Sequence, residues 1–176
     1  MATITVTEPT TFPALILSTD ISGFNSANGY FGANANANTL LNVTCLQDVT
    51  VTNGTGIFSW TDFCSAAINK VTTPSDNEIS TNIVIDPNVF FGVSGAVSSS
   101  AKQLGVSGLS NDRVEVAFRF QLNDPTANAT PDANVYCYTG KGYISSVAPT
   151  VSPDAPVWVS PLTIAVNGDL TAFKST

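Results

Sequence analysis

Carboxylates are the side chains through which this chain could do acid–base chemistry: it carries 13 Asp and Glu residues and no histidine. A glycosidase needs two carboxyl groups facing each other across a scissile bond. Asp76/Glu78, Asp112/Glu115 and Asp124/Asp132 lie close along the chain, but each stands beside a turn or on the polar side of an alternating segment. Such positions predict solvated acids. The absence of histidine removes Ser-His-Asp and Cys-His catalysis, imidazole acid–base work and His-ligated zinc. The three cysteines, Cys45, Cys64 and Cys137, are odd in number, widely spaced and without a Cys-x-x-Cys pair, which predicts reduced, buried thiols. No Asp-x-Asp-x-Asp-Gly calcium loop and no phosphate-cradling Gly-x-x-x-x-Gly-Lys-Ser/Thr is present. Gly92-Val93-Ser94-Gly95 has a loose likeness to a nucleophile elbow but lacks a base, and Gly140-Lys141-Gly142 reads as a hairpin turn. The expectation is a protein that is not an enzyme and takes no cofactor and no metal.

The elements that would have to position any site follow from composition. At 176 residues one domain spanning 1–176 is expected, and the net charge of −7 excludes a basic, phosphate-seeking surface. Charged residues are only 11% while hydrophobic ones are 43%, so the chain can bury a core. Ser, Thr and Asn supply 56 of the 176 residues. Short polar side chains mixed with β-branched ones suit half-exposed sheet. So little charge protects a monomer poorly against self-association, and predicts a surface covered by further copies. No apolar run approaches the ~20 residues of a bilayer helix, and no basic segment followed by an apolar stretch opens the sequence. A soluble chain with no membrane partner is expected.

Alternation places strands at 3–7, 40–51, 79–85, 114–122 and 134–138, Tyr143–Val147 continues in extended form, and after Val157–Val159 the residues Leu162, Ile164 and Val166 alternate. In 114–122, Val114, Val116, Phe118 and Phe120 face one way as core, and Glu115, Ala117, Arg119 and Gln121 face the other. Asn53-Gly54-Thr55-Gly56 reads as a tight turn. Trp60, Phe63, Cys64, Ala67, Ile68 and Val71 recur at helical spacing, predicting one helix whose packing face includes Trp60, Phe63, Ala67 and Ile68. Segments 20–38 and 121–134 read as long loops or arms with little in the first that could pack. Phe91-Gly92-Val93-Ser94-Gly95-Ala96 is echoed thirteen residues later by Leu104-Gly105-Val106-Ser107-Gly108-Leu109, a chance echo or a pair of turns.

The last third carries a family resemblance. Gly140-Lys141-Gly142-Tyr143-Ile144-Ser145-Ser146, then Pro153-Asp154-Ala155-Pro156-Val157, then 160–171 ending Val166-Asn167-Gly168-Asp169-Leu170-Thr171 resembles the carboxyl end of siphophage-like major tail tube proteins of tailed bacteriophages. The resemblance covers about 35 residues. It implies a mainly β, tail-tube-like β-sandwich or barrel with one flanking α-helix and long loops. It also implies a virion protein of the tail, assembled in the host cytoplasm, whose partners are itself and other tail proteins. Copies would form homohexameric rings stacked into a tube, and DNA would pass through the lumen without specific binding. Glu115, on the polar face of the long strand, and Asp48 are the candidate lumen-facing acids, because negative charge repels phosphate over a Debye length of roughly 8–10 Å. A capsid decoration or cement protein, or a virion fibre or adhesion domain, shares the same charge-poor β character.

Overall fold

The computed structural model describes residues 12–61, 68–152 and 155–176. Along the chain run β1 (Ala14–Ser18), β2 (Leu41–Val43), β3 (Leu46–Thr61), β4 (Ile68–Val84), α1 (Pro87–Phe91), α2 (Ala101–Asn111), β5 (Glu115–Gln121), β6 (Tyr136–Val147), β7 (Thr150–Ser152), β8 (Ala155–Val166) and β9 (Thr171–Lys174). One antiparallel sheet orders them β2-β1-β5-β6-β8-β4-β3, with β7 paired to β8 and β9 to the first half of β6.

The ends of that path are successive in the chain: only Thr44 and Cys45 separate β2 from β3. Laid flat, seven strands would span roughly 29 Å, whereas three extended steps reach at most about 11 Å. The sheet must therefore curl until its edges approach, which gives the barrel-like sandwich that the sequence implied. Val84 N–H donates to the Cys45 carbonyl at 2.9 Å, which carries the β3–β4 ladder into this two-residue link.

Pairing registers divide the side chains into two faces. Leu15 and Leu17, Val116, Phe118 and Phe120, Ile144, Leu162 and Ile164, and Ile79 and Ile83 share the inner one and form the main core, joined by Phe90 of α1 and by Ala101, Val106 and Leu109 of α2. Val116, Phe118 and Phe120 are the core residues that alternation named; Val114 packs against the same cluster from just before β5. The opposite side of β5 is also closed: Ala117, Arg119 and Gln121 are buried under a second cluster built from Ile16, Phe24, Phe31 and Leu40. Segment 20–38 is thus a loop, as expected, but it packs through Phe24 and Phe31, against expectation.

The helix predicted from Trp60 to Val71 is corrected. Trp60 pairs with Asn69 and Ile68 with Thr61 in the β3–β4 ladder, so both ends of that stretch are strand, while Phe63, Cys64 and Ala67 lie outside the described residues. Ile57, Phe58 and Val71 extend the pairing, and β-branched and aromatic residues suit a ladder at least as well as a helix. The flanking helices form instead just before the first copy of the Gly/Ser-rich echo, as α1, and over its second copy, as α2. α2 has weak intrinsic propensity and is interrupted at Gly105 (φ 65°, ψ 177°), so its buried Ala101, Val106 and Leu109 hold it in place. Ser100 caps it by accepting from Gln103 N–H.

Both predicted glycine turns lie inside strands. Gly54–Gly56 marks a register shift in β3. Gly140 and Gly142 sit within the continuous β6, where a Cβ would stand 2.8 Å from the Phe118 ring and 2.3 Å from the Ala165 carbonyl oxygen. Close packing, with no reversal of direction, requires glycine there. The strand expected at 3–7 lies outside the described residues.

Candidate assembly surfaces

The outer face of the sheet has a covered half and a bare half. Over β1, β5 and the start of β6, segments 20–38 and 122–135 are tied down by Arg119, which is fully buried. Its Nη1 donates to the carbonyls of Gly29 (2.6 Å) and Ala129 (3.3 Å), its Nη2 to Asn128 (2.6 Å) and its Nε to Gln121 Oε1 (3.2 Å). The guanidinium also lies 4.9 Å from the Phe31 ring centroid, a cation–π contact. Burial pulls its pKa down to about 10, against opposing pulls from Cys137, Asp124 and Asp132. Alternation sets Arg119 on the face opposite Val116, Phe118 and Phe120, where it lies; that this face is also closed has one signal in the sequence, a lone base on the strand most able to be buried on both sides.

The bare half spans β3, β4, β8 and the far end of β6. Register places Glu115, Tyr143, Ala165, Glu78 and Thr52 in one row across it, with Thr163, Ser80 and Thr50 in the next and Asn82 and Asp48 beyond. The candidate acids Glu115 and Asp48, chosen from separate strands, therefore share one face, and Glu78 joins them. Asp48 accepts from the Asn82 backbone N–H at 2.9 Å and from its Nδ2 at 3.0 and 3.1 Å. Glu115 Oε1 accepts from Asn167 Nδ2 at 2.7 Å. Amide donors fix both carboxylates without cancelling their charge. Lys141 stands at the border with the covered half.

Over residues 68–77, β4 and its partner β3 extend past the β8 ladder. The described β4–β8 ladder covers only 78–84, while β3 and β4 stay paired out to Thr61 and Ile68. The projecting hairpin reaches roughly 27 Å past Asn53 at about 3.4 Å per residue. It carries exposed Ile57, Phe58 and Val71.

Chemistry finds little here. Among the described residues no group of three or more His, Cys, Asp or Glu could hold a metal. Asp124 accepts from Gln121 Nε2 and Thr126 N–H, and Asp132 from Asn128 Nδ2, so these acids serve loop structure. Of the cysteines, Cys137 is buried as expected; Cys45 is exposed, which corrects that expectation, and Cys64 lies outside the described residues. Burial pushes the Cys137 thiol up to about 11. No described helix is long and apolar enough to cross a membrane.

Solved structures place this architecture. A chain in the tail of an empty gene transfer agent particle, determined with helical refinement and C6 symmetry, is similar over 90% of this chain and 95% of its own, with 13% identity and a TM-score of 0.50. This chain has the fold of a tail protein. Matches also occur in the virion of a native gene transfer agent particle (13% identity, 79% of this chain and 92% of that one, TM-score 0.48) and in the tube-terminating cap of the anti-feeding prophage (10% identity, 99% and 96%, TM-score 0.48). No protein-family model matches the sequence, and no curated protein does.

Proposed function

We propose that this chain is a non-enzymatic wall protein of a phage-type tail, whose copies join into six-membered rings that stack into a tube through which DNA passes. The observation that carries the reading is the bare half of the outer face. It is continuous over four strands, paved with Thr, Ser and Asn, and bears Asp48, Glu78 and Glu115, with Lys141 at its border. A surface of that kind turned toward a bore wets easily and repels phosphate, so the duplex slides without adhering.

Two further features support assembly. The outer edge of β3 is long, and in a monomer such an edge is a standing invitation to further strand pairing. Pairing with a neighbour would satisfy its backbone groups and carry the sheet around a ring. The projecting hairpin reaches beyond the body of the subunit, as a contact to a second copy must. The gene transfer agent tail chain with this fold belongs to a particle refined with C6 symmetry, which supports six as the ring number. Other proteins of the particle would cap the two ends of the tube.

Negative-stain microscopy of the concentrated, purified chain tests the reading. Hollow filaments or six-fold rings support it. Trimers that bind empty capsids, or a monomer that never assembles, overturn it.

A further inference from the structure

Asn-Gly pairs stand at 28–29, 53–54 and 167–168. Such a pair can react with itself, because glycine has no side chain to shield its nitrogen from the neighbouring amide. The reaction needs the peptide between the two residues to swing, and the fold permits that unequally. Gly29 is buried, its carbonyl accepts from Arg119 Nη1 at 2.6 Å, and a Cβ on it would stand 2.9 Å from Arg119 Cδ. Asn28 Oδ1 is engaged as well, accepting from Tyr30 N–H at 3.2 Å. Asn53 and Gly54 are held in the β3–β4 ladder opposite Asn77 and Asp76. Asn167 and Gly168 lie past the end of β8, and both are exposed. Gly168 has a φ of 92°, no described atom lies within 4 Å of where its Cβ would be, and its carbonyl accepts from Asn77 Nδ2 at a long 3.4 Å.

We propose that Asn167–Gly168 is a self-modification site, which turns an amide on the bare half of the sheet into a carboxylate with Glu115 setting the rate. The Gly168 nitrogen attacks Asn167 Cγ. The new C–N bond closes a five-membered succinimide, and Nδ2 departs as ammonia, taking up the proton that the Gly168 nitrogen gives away. Water then adds to one of the two ring carbonyls and breaks its bond to that nitrogen, leaving aspartate or, from the other carbonyl, isoaspartate. Glu115 Oε1 accepts from Asn167 Nδ2 at 2.7 Å, which holds the amide still, and its charge opposes the oxyanion that forms as the nitrogen adds. An exposed bond of this kind exchanges with water at little cost, so it delays the reaction less than the Arg119 clamp or the β3–β4 ladder does. After conversion the donor is gone, the new carboxylate meets Glu115 as a like charge, and the turn after β8 loses this tie to β5. The chemistry belongs to the single chain and goes beyond the tube reading.

Peptide mass spectrometry of the purified chain, aged folded in mildly alkaline buffer, tests the site. Conversion at Asn167 is expected to run at least tenfold ahead of Asn28 and Asn53, and the three rates to converge when the chain is aged in urea. Gly168→Ala should slow conversion at Asn167 at least tenfold. Glu115→Ala should speed it several-fold while the Asn28 rate, which reports an intact Arg119 clamp, stays the same. Equal rates at the three pairs in the folded chain, or a lead for Asn28 or Asn53, would overturn the site. An unaltered Asn167 rate in Glu115→Ala would overturn the part given to Glu115.

Discussion

Gly92 and Gly105 meet backbone to backbone. A Cβ on Gly105 would lie 2.3 Å from the Gly92 nitrogen, and one on Gly92 only 1.9 Å from the Gln103 carbonyl oxygen. These two glycines hold equivalent places in the thirteen-residue sequence echo, and Val93 N–H donates to the Lys102 carbonyl at 3.0 Å beside them. The echo is a matched pair of bends: α1 ends at the first, and the break in α2 falls at the second. Both glycines also have positive φ, 85° and 65°. Gly92→Ala and Gly105→Ala are each expected to lower stability by about 2–4 kcal/mol, from collision plus left-handed strain. Gly168→Ala, also at positive φ but facing open space, should cost only about 1 kcal/mol. Urea midpoints of the three variants check this ordering.

Arg119 makes a second prediction. Its donors end on carbonyls of two different segments, so removing them leaves buried acceptors unsatisfied. Arg119→Met is expected to destabilise the chain by about 2–4 kcal/mol. It should also speed amide exchange at Phe31, whose N–H donates to the Ala129 carbonyl, more than at core strands. Uniform exchange across the sheet would contradict the clamp.

The cysteines should separate by reactivity. With its thiol pushed up to about 11 by burial, Cys137 stays protonated and inert at pH 8. Exposed Cys45 should alkylate readily under the same conditions. Site-resolved mass spectrometry after brief iodoacetamide treatment reads the two directly.

Asp20 gives a pH dependence. Its pKa is lowered chiefly because Oδ1 accepts from the Gly23 N–H (3.1 Å), with Ser22 Oγ (2.9 Å) adding to the effect. A depressed carboxylate contributes stability that is present above its unfolded value of 3.8 and lost as pH falls through the lower folded value. Local amide protection around 20–23 should therefore weaken below pH 4, and Asp20→Asn should flatten that dependence. An unchanged profile in the variant would refute the assignment.

How much of this was legible in the sequence depends on how many signals agreed. Val116, Phe118 and Phe120 were readable because strict alternation, β-propensity and hydrophobicity coincide. The face of Arg119 and Gln121 was legible but their burial was not, because alternation shows two faces without showing that a loop rich in Asn and Ala covers the second; only the folded segments bring Phe24 and Phe31 onto it. The 60–71 stretch failed differently. Apolar residues there fit a period of 3.6, but antiparallel pairing within the same stretch decided the outcome: Trp60 pairs with Asn69 and Thr61 with Ile68, and the helical spacing hides that alternative. α2 was invisible because glycine and serine argue against helix, and its stability comes from burial of Val106 and Leu109. Glu115 and Asp48 were named from separate strands; that they share a face became visible only through the registers of β5, β6, β8, β4 and β3.

The central claim is that copies of this chain build a tube wall whose bore is the bare polar half of the sheet. A helical reconstruction of tubes grown from the purified chain tests it most directly. The account predicts six subunits per ring with Asp48, Glu78 and Glu115 lining the lumen. Tubes with those three acids on the outer surface would contradict it.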